Sequence, residues 1–197
     1  MRSTVRFAVL IAILMGCASF GAAPALAQDT AAFAAGANYN FVRSNAPPGS
    51  CGCFNMNGGN GWFSIGLPYH FSAVADVSVQ YAGNINGSGV DLTLTSYVFG
   101  PRYNFLHSER VHPFAQALVG GSHASGSFSS SSVSASGSAN AFAAVGGGGV
   151  DFDLTEHIGV RAIEADYFFT KYTNGTNDHQ NNLRIAAGIY IRFGSRH

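Results

Sequence analysis

The last stretch of the chain sets the strongest constraint on its fold. Leu183, Ile185, Ala187, Ile189, Ile191 and Phe193 share one parity, and Asn182, Arg184, Ala186, Gly188, Tyr190 and Arg192 share the other. A period of two is the mark of a β-strand with one apolar and one polar face. Alone it fits a soluble sandwich as well as a membrane barrel. The number of such segments, and what surrounds them, decides more.

The chain opens on a short basic segment with Arg2 and Arg6, runs apolar over residues 7–15 and reaches small residues ending in Ala25-Leu26-Ala27. That is the layout of a cleaved secretory signal, expected to occupy residues 1–27 and to leave 28–197 as one domain. A transmembrane anchor is the rival, but the apolar run falls short of the roughly 20 residues a bilayer requires. Leu14-Met15-Gly16-Cys17 keeps a lipoprotein reading open as the weaker alternative.

Beyond residue 27 no apolar run approaches the length of a membrane helix. Yet only 10 % of the chain is charged, against about 25 % in ordinary soluble domains, and it holds 25 glycines. A surface facing lipid explains the deficit, and a closed barrel is the non-helical structure that satisfies its backbone there. Basic and acidic residues balance at 10 each, so no field for nucleic acid is implied.

Eight strands are expected, at 33–43, 61–70, 74–83, 91–105, 111–123, 140–152, 158–172 and 182–193. Short connections at 71–73, 106–110 and 153–157 alternate with longer ones at 44–60, 84–90, 124–139 and 173–181. Short periplasmic turns and long external loops are the pattern of a barrel. The expectation is therefore an all-β, eight-stranded antiparallel up-and-down transmembrane β-barrel. In the fourth strand Leu92 and Leu94 give way to Tyr97, Phe99, Pro101 and Tyr103, a change of phase that suggests a bulge near residues 95–97. Residues 124–139 are almost all Ser, Ala and Gly and read as an exposed, mobile loop.

Cys51 and Cys53 flank Gly52 in an exported chain, where disulfides persist. A disulfide pinning this loop is the leading expectation, with free thiols and an intermolecular bridge left open, because a ring of residues two apart is geometrically tight.

The order of several motifs resembles the OmpA-like small outer-membrane β-barrels: Phe99-Gly100-Pro101-Arg102-Tyr103, then residues 112–121 from His112-Pro113-Phe114, then 146–151, 161–167 and Asn181-Asn182-Leu183-Arg184. The likeness spans the chain beyond residue 27. It implies outer-membrane location, contact with outer-membrane lipid and lipopolysaccharide, and insertion by the barrel-assembly machinery. It also implies a C-terminal assembly signal, matched here by Gly188, Ile191 and Phe193. The chain departs from that signal by the four residues after Phe193 and by Ala187 at a position that is usually polar.

Glu164 and Asp166 share one parity in the seventh strand, and Arg184 and Arg192 the inward parity in the eighth. Adjacent strands let them meet, with Arg102 a further candidate. The expected result is a buried charge network, either purely structural or a salt-bridge gate in a narrow path. Arg161 is out of phase with Glu164 and falls on the lipid parity, where it is expected to snorkel. Glycines 146–149 are expected to make room for Tyr190 or Arg192, and they are not a phosphate loop because no Lys-Ser/Thr follows.

The seven histidines show no metal-ligand spacing, and no metal or cofactor is expected. His123 and Ser125 are weighed as part of a lipid-A deacylase, but no acid lies nearby in sequence to orient the base. The leading expectation is a non-enzymatic membrane protein whose outer loops meet partners of unspecified kind, with at most a narrow pore. A lipid-A-modifying hydrolase and a secreted lipocalin-like carrier stand as alternatives; the carrier would turn its aliphatic face inward.

Overall fold

The computed structural model describes residues 33–44, 53–105, 110–130, 133–173 and 179–194. The expected leader (1–27) and Cys51 lie outside the described residues. The described chain forms eight strands: β1 (Phe33–Ser44), β2 (Phe54–Gly66), β3 (Phe71–Ala82), β4 (Val90–Asn104), β5 (Val111–Ser130), β6 (Val133–Asp153), β7 (Ile158–Thr170) and β8 (Gln180–Phe193). Each pairs antiparallel with its neighbours in sequence, and β8 closes on β1 with Phe193 opposite Phe33, so the sheet is a closed barrel.

Outward positions carry Ile185, Ile189, Ile191 and Leu183, and Ile189 is 65 % exposed. A lipocalin needs the reverse facing. Aromatic side chains cluster on the outer face at the short-turn end: Phe33 stacks on Phe63, and Tyr103 meets both Phe71 and Phe105 edge-on. Such belts sit at the membrane interface.

Four local readings differ from the structure. The second strand starts at Phe54, not Gly61, and ends at Gly66; the next starts at Phe71. Between them Tyr69 (φ 62°) and His70 (φ 66°) adopt left-handed backbone, closed by a 2.8 Å bond from Leu67 N–H to Phe71 O. β4 contains no bulge near residues 95–97, because its register with β3 is unbroken from Leu92 to Tyr103. The apparent phase change arises because Leu94 and Val98 point inward into an apolar core while Tyr97 and Phe99 point outward.

The irregularity is in β7 instead. Val150 faces Ile163 but Asp151 faces Arg161, so Ala162 is extra. One extra residue inverts parity. Arg161 therefore points into the barrel and is buried, not snorkelling in lipid.

Residues 124–139 are not a loop but the far part of a β5–β6 hairpin, paired from Ala124 opposite Ala139 to Ser130 opposite Val133. The two strands have 20 and 21 residues, where about 9–11 cross a bilayer, so the hairpin stands beyond the rim at the long-loop end. Serine, alanine and glycine cannot build a core, but a hairpin ladder needs only backbone groups.

Candidate functional site

The interior is filled in three storeys. Farthest from the short turns, Val42, Met56, Leu94, Leu118, Val145 and Phe168 form part of one apolar cluster, all buried. These residues come from β1, β2, β4, β5, β6 and β7, and they explain why inward parity does not always read as polar.

Below them lies the charge network. Arg184 on β8 donates to three carboxylates: Nη2 to Asp166 Oδ2 at 2.7 Å and to Glu164 Oε1 at 3.2 Å, and Nη1 to Asp76 Oδ1 at 3.2 Å. Asp76 also accepts from Asn60 Nδ2 at 2.5 Å. Arg161 clamps Asp151 through Nε (2.8 Å) and Nη2 (3.0 Å), and gives Nη1 to Glu164 Oε2 at 2.5 Å. Burial of so many charges is tolerated because each carboxylate here has a cationic or amide donor.

Arg102 makes no direct bond to Glu164 or Asp166. Its Nε and Nη2 both donate to Gln116 Oε1 (3.2 and 2.8 Å), and Gln116 Nε2 passes the contact on to Glu164 and Asp166, each at 3.3 Å. The Arg102 and Arg161 guanidiniums both lie over Trp62 (4.9 and 4.2 Å) and over Phe114 (4.3 and 4.5 Å). Aromatic faces are attractive to cations and let two like charges sit close without water.

The third storey, at the short-turn mouth, holds Arg192. It forks onto Asp153 with Nη1–Oδ2 at 2.7 Å and Nη2–Oδ1 at 2.8 Å, and so lies apart from Glu164 and Asp166. His112 Nε2 lies 2.8 Å from the same carboxylate, and Tyr190 donates its hydroxyl to it.

Sequence parity places Glu164, Asp166 and Arg184 on inward positions, and the structure brings those three together. Asp76, Asp151, Asp153, Trp62, Phe114 and Gln116 were missed. For Asp76 the signal was available, since Ser72, Val74, Ser78 and Gln80 share its parity and are buried with it.

The glycines at 146–149 accommodate different neighbours from those expected. A Cβ at Gly147 would stand 2.3 Å from Asp166 Oδ1, and one at Gly149 2.9 Å from Phe114 Cζ. Tyr190 instead lies over Gly159, at 2.2 Å from a Cβ built there.

A Cβ at Gly188 would stand 2.1 Å from Ala37 O, while Ile191 and Phe193 face outward. Cys53 is half-buried just before β2. His123 Nδ1 meets Asn140 Oδ1 at 2.8 Å on the exposed hairpin. Among the described residues no group of three or more His, Cys, Asp or Glu side chains is arranged to hold a metal ion.

A closed antiparallel barrel with an apolar outer wall, aromatic belt and packed interior that carries a buried charge network defines a transmembrane barrel of the outer-membrane class. The chain belongs to the outer membrane protein beta-barrel domain family, whose sequence profile matches residues 12–193. It is an outer-membrane protein.

Among solved structures it is similar to Ail, the attachment invasion locus protein of Yersinia pestis, in complex with the heparin analogue sucrose octasulfate. That match has 19 % identity and a TM-score of 0.59, covering 83 % of this chain and 99 % of Ail. It is also similar to Neisserial surface protein A (14 %, TM-score 0.57, 82 % and 99 % covered). OprG of Pseudomonas aeruginosa is a third (11 %, TM-score 0.51, 85 % and 98 % covered). At these identities the likeness concerns the fold. No curated protein matches the chain.

Proposed function

We propose that this protein is a non-enzymatic surface scaffold: a closed, non-conducting barrel that holds its long-loop end, above all the β5–β6 hairpin, outside the cell. The filled interior carries this reading. An open path would have to pass both the Arg161–Glu164–Arg184–Asp76 network and the apolar cluster around Phe168 and Met56. Eight strands leave an interior that side chains can fill, and here large buried side chains fill it.

The hydrolase alternative has little support. His123 is oriented by an amide rather than a carboxylate, and it lies on the solvated hairpin rather than in a water-excluding pocket. We further assign residues 1–27 as the cleaved leader, Gly188, Ile191 and Phe193 as the assembly signal read by the insertion machinery, and lipopolysaccharide as the outer-leaflet contact of the apolar wall toward the long-loop end. Ail's complex with a sulfated heparin analogue makes polyanionic surface sugars a class worth including among loop partners.

Reconstitution into planar bilayers tests the closed lumen. Protein shown to be folded by heat-modifiable gel mobility is expected to give no sustained unitary conductance. Steady steps that change in Arg184→Gln would replace the scaffold by a gated pore.

A further inference from the structure

Among the described residues, β6 is paired on one side only toward its tip. β5 follows it to Ser130 and Val133. On the other side, pairing with β7 stops at Ala143 opposite Thr170, and Lys171 N–H donates to Phe142 O at 2.9 Å. Phe142 thus turns its backbone groups to the β7 side. By antiparallel alternation Asn140, Ser138, Ser136 and Ser134 do the same, while Ala141, Ala139, Gly137 and Ala135 bond to β5.

Residues 134–140 are all exposed. An edge of open N–H and C=O groups is a template for another strand, and proteins usually blunt it with charge, proline or a bulge. Residues 122–142 contain no Asp, Glu, Lys, Arg or Pro.

The edge is also symmetric in sequence about Gly137: Ser136 and Ser138 flank it, then Ala135 and Ala139, then Ser134 and Asn140. An antiparallel two-fold pairing would set Gly137 on Gly137, Ser136 on Ser138 and Ala135 on Ala139. The hairpin already builds this pattern once within the chain, with Gly126 opposite Gly137, Ser127 opposite Ser136, Ser125 opposite Ser138 and Ala124 opposite Ala139. The open backbone groups belong to the serines and Asn140, so both backbone and side chains fit the same register.

We propose that residues 134–140 pair antiparallel with the same segment of a second copy of this chain anchored in an apposed membrane. The proposal rests on the surface-scaffold reading. The geometry selects facing membranes. A two-fold axis that makes adjacent strands antiparallel is perpendicular to the sheet, and for a sheet standing in a barrel wall that axis lies in the membrane plane. The second copy is therefore inverted. Two copies in one membrane, related about its normal, would cross these strands at about 80°, twice a tilt of about 40°. The isologous contact closes on itself and links two surfaces.

The test uses the folded protein in phosphatidylcholine liposomes, with membrane folding of every variant checked by heat-modifiable mobility. Wild-type proteoliposomes are expected to cluster, read as turbidity, and protein-free liposomes to stay dispersed. Ser136→Pro with Ser138→Pro removes two open N–H groups without touching the β5 ladder, and is expected to return turbidity to the protein-free level. Ser136→Lys with Ser138→Lys, and Ser136→Glu with Ser138→Glu, are each expected to stay dispersed alone and to cluster when mixed.

In a Cys51→Ser, Cys53→Ser background, Gly137→Cys is expected to form a disulfide dimer on oxidation, because a non-hydrogen-bonded pair brings Cα atoms to about 4.5 Å. The new Cβ meets nothing within 4 Å. Ala139→Cys, offset from its own copy, is expected to remain monomeric.

Dispersed wild-type liposomes, clustering unaffected by the proline or charge pairs, or equal cross-linking at 137 and 139 would each overturn the proposal. So would a Gly137→Cys dimer formed at dilutions where liposomes do not meet. Any of these results with bilayers still silent would remove the edge contact alone and leave the scaffold reading in place.

Discussion

Arg184 is the side chain whose loss is expected to cost the barrel most. It is 0 % exposed and bonds Asp166, Glu164 and Asp76 together. After Arg184→Gln, Glu164 keeps Arg161 and Asp76 keeps the Asn60 amide, but Asp166 is left with the weaker 3.3 Å contact from Gln116. A buried carboxylate stranded in this way costs about 3–5 kcal/mol. Asp166→Asn alone leaves Arg184 two carboxylates but takes the charge from the acceptor of two of its bonds, from Nε at 3.0 Å and Nη2 at 2.7 Å, about 1.5–3 kcal/mol.

The double variant strands nothing, so its cost should fall short of the sum by about 1–3 kcal/mol. Urea unfolding from lipid vesicles measures all four states, with Trp62, the single tryptophan, as the reporter beside Arg161. Additivity within about 0.5 kcal/mol, or an Arg184→Gln cost under about 1 kcal/mol as in water-screened pairs, would refute the dry-network reasoning.

Ile189→Arg, on the lipid wall, is expected to lower folding stability in vesicles by about 2–4 kcal/mol near the midplane, while inward Ala186→Ser has far less effect; equal folding yields would reverse the facing. Gln80 is fully buried with no partner for either amide atom among the described residues, so Gln80→Leu should be neutral or stabilising in the same urea titration, and a loss above about 1 kcal/mol would show the amide is engaged. Gly147→Val is expected to abolish the heat-modifiable form, since its Cβ would collide with Ala165 O at 2.3 Å. If Cys51 and Cys53 are bridged, intact mass without reduction should be two hydrogens lighter than after reduction; two free thiols or a covalent dimer would exclude that loop disulfide.

Alternation made the barrel legible where the two faces differ in chemistry. In β8 from Leu183 onward every outward residue is aliphatic or aromatic and every inward one polar or small, so facing and strand can be read together. In β4 the same rule misleads, because Leu94 and Val98 face an apolar storey and apolar residues stand on both sides of the wall. Arg161 escapes parity for another reason: one extra residue at Ala162 inverts the count, and nothing in the composition of 158–164 marks it. Shared parity can place Glu164, Asp166 and Arg184 on the inner wall. It cannot show that Arg192 stops one storey lower on Asp153, because stagger between distant strands sets that height. The hairpin looks like a loop in sequence because low-complexity sequence carries no packing signal, while a backbone ladder requires none.

The central claim is a lumen closed to water inside a wall facing lipid, and Trp62 can report on both sides of it. The indole is 5 % exposed and lies against Arg161, Arg102 and Tyr190 within the barrel. In reconstituted vesicles its fluorescence is expected to resist both aqueous iodide and lipids brominated along their chains, and to become quenchable by iodide only after unfolding. Strong iodide quenching of the folded protein would open the lumen, and strong quenching by brominated lipid would turn the wall inside out.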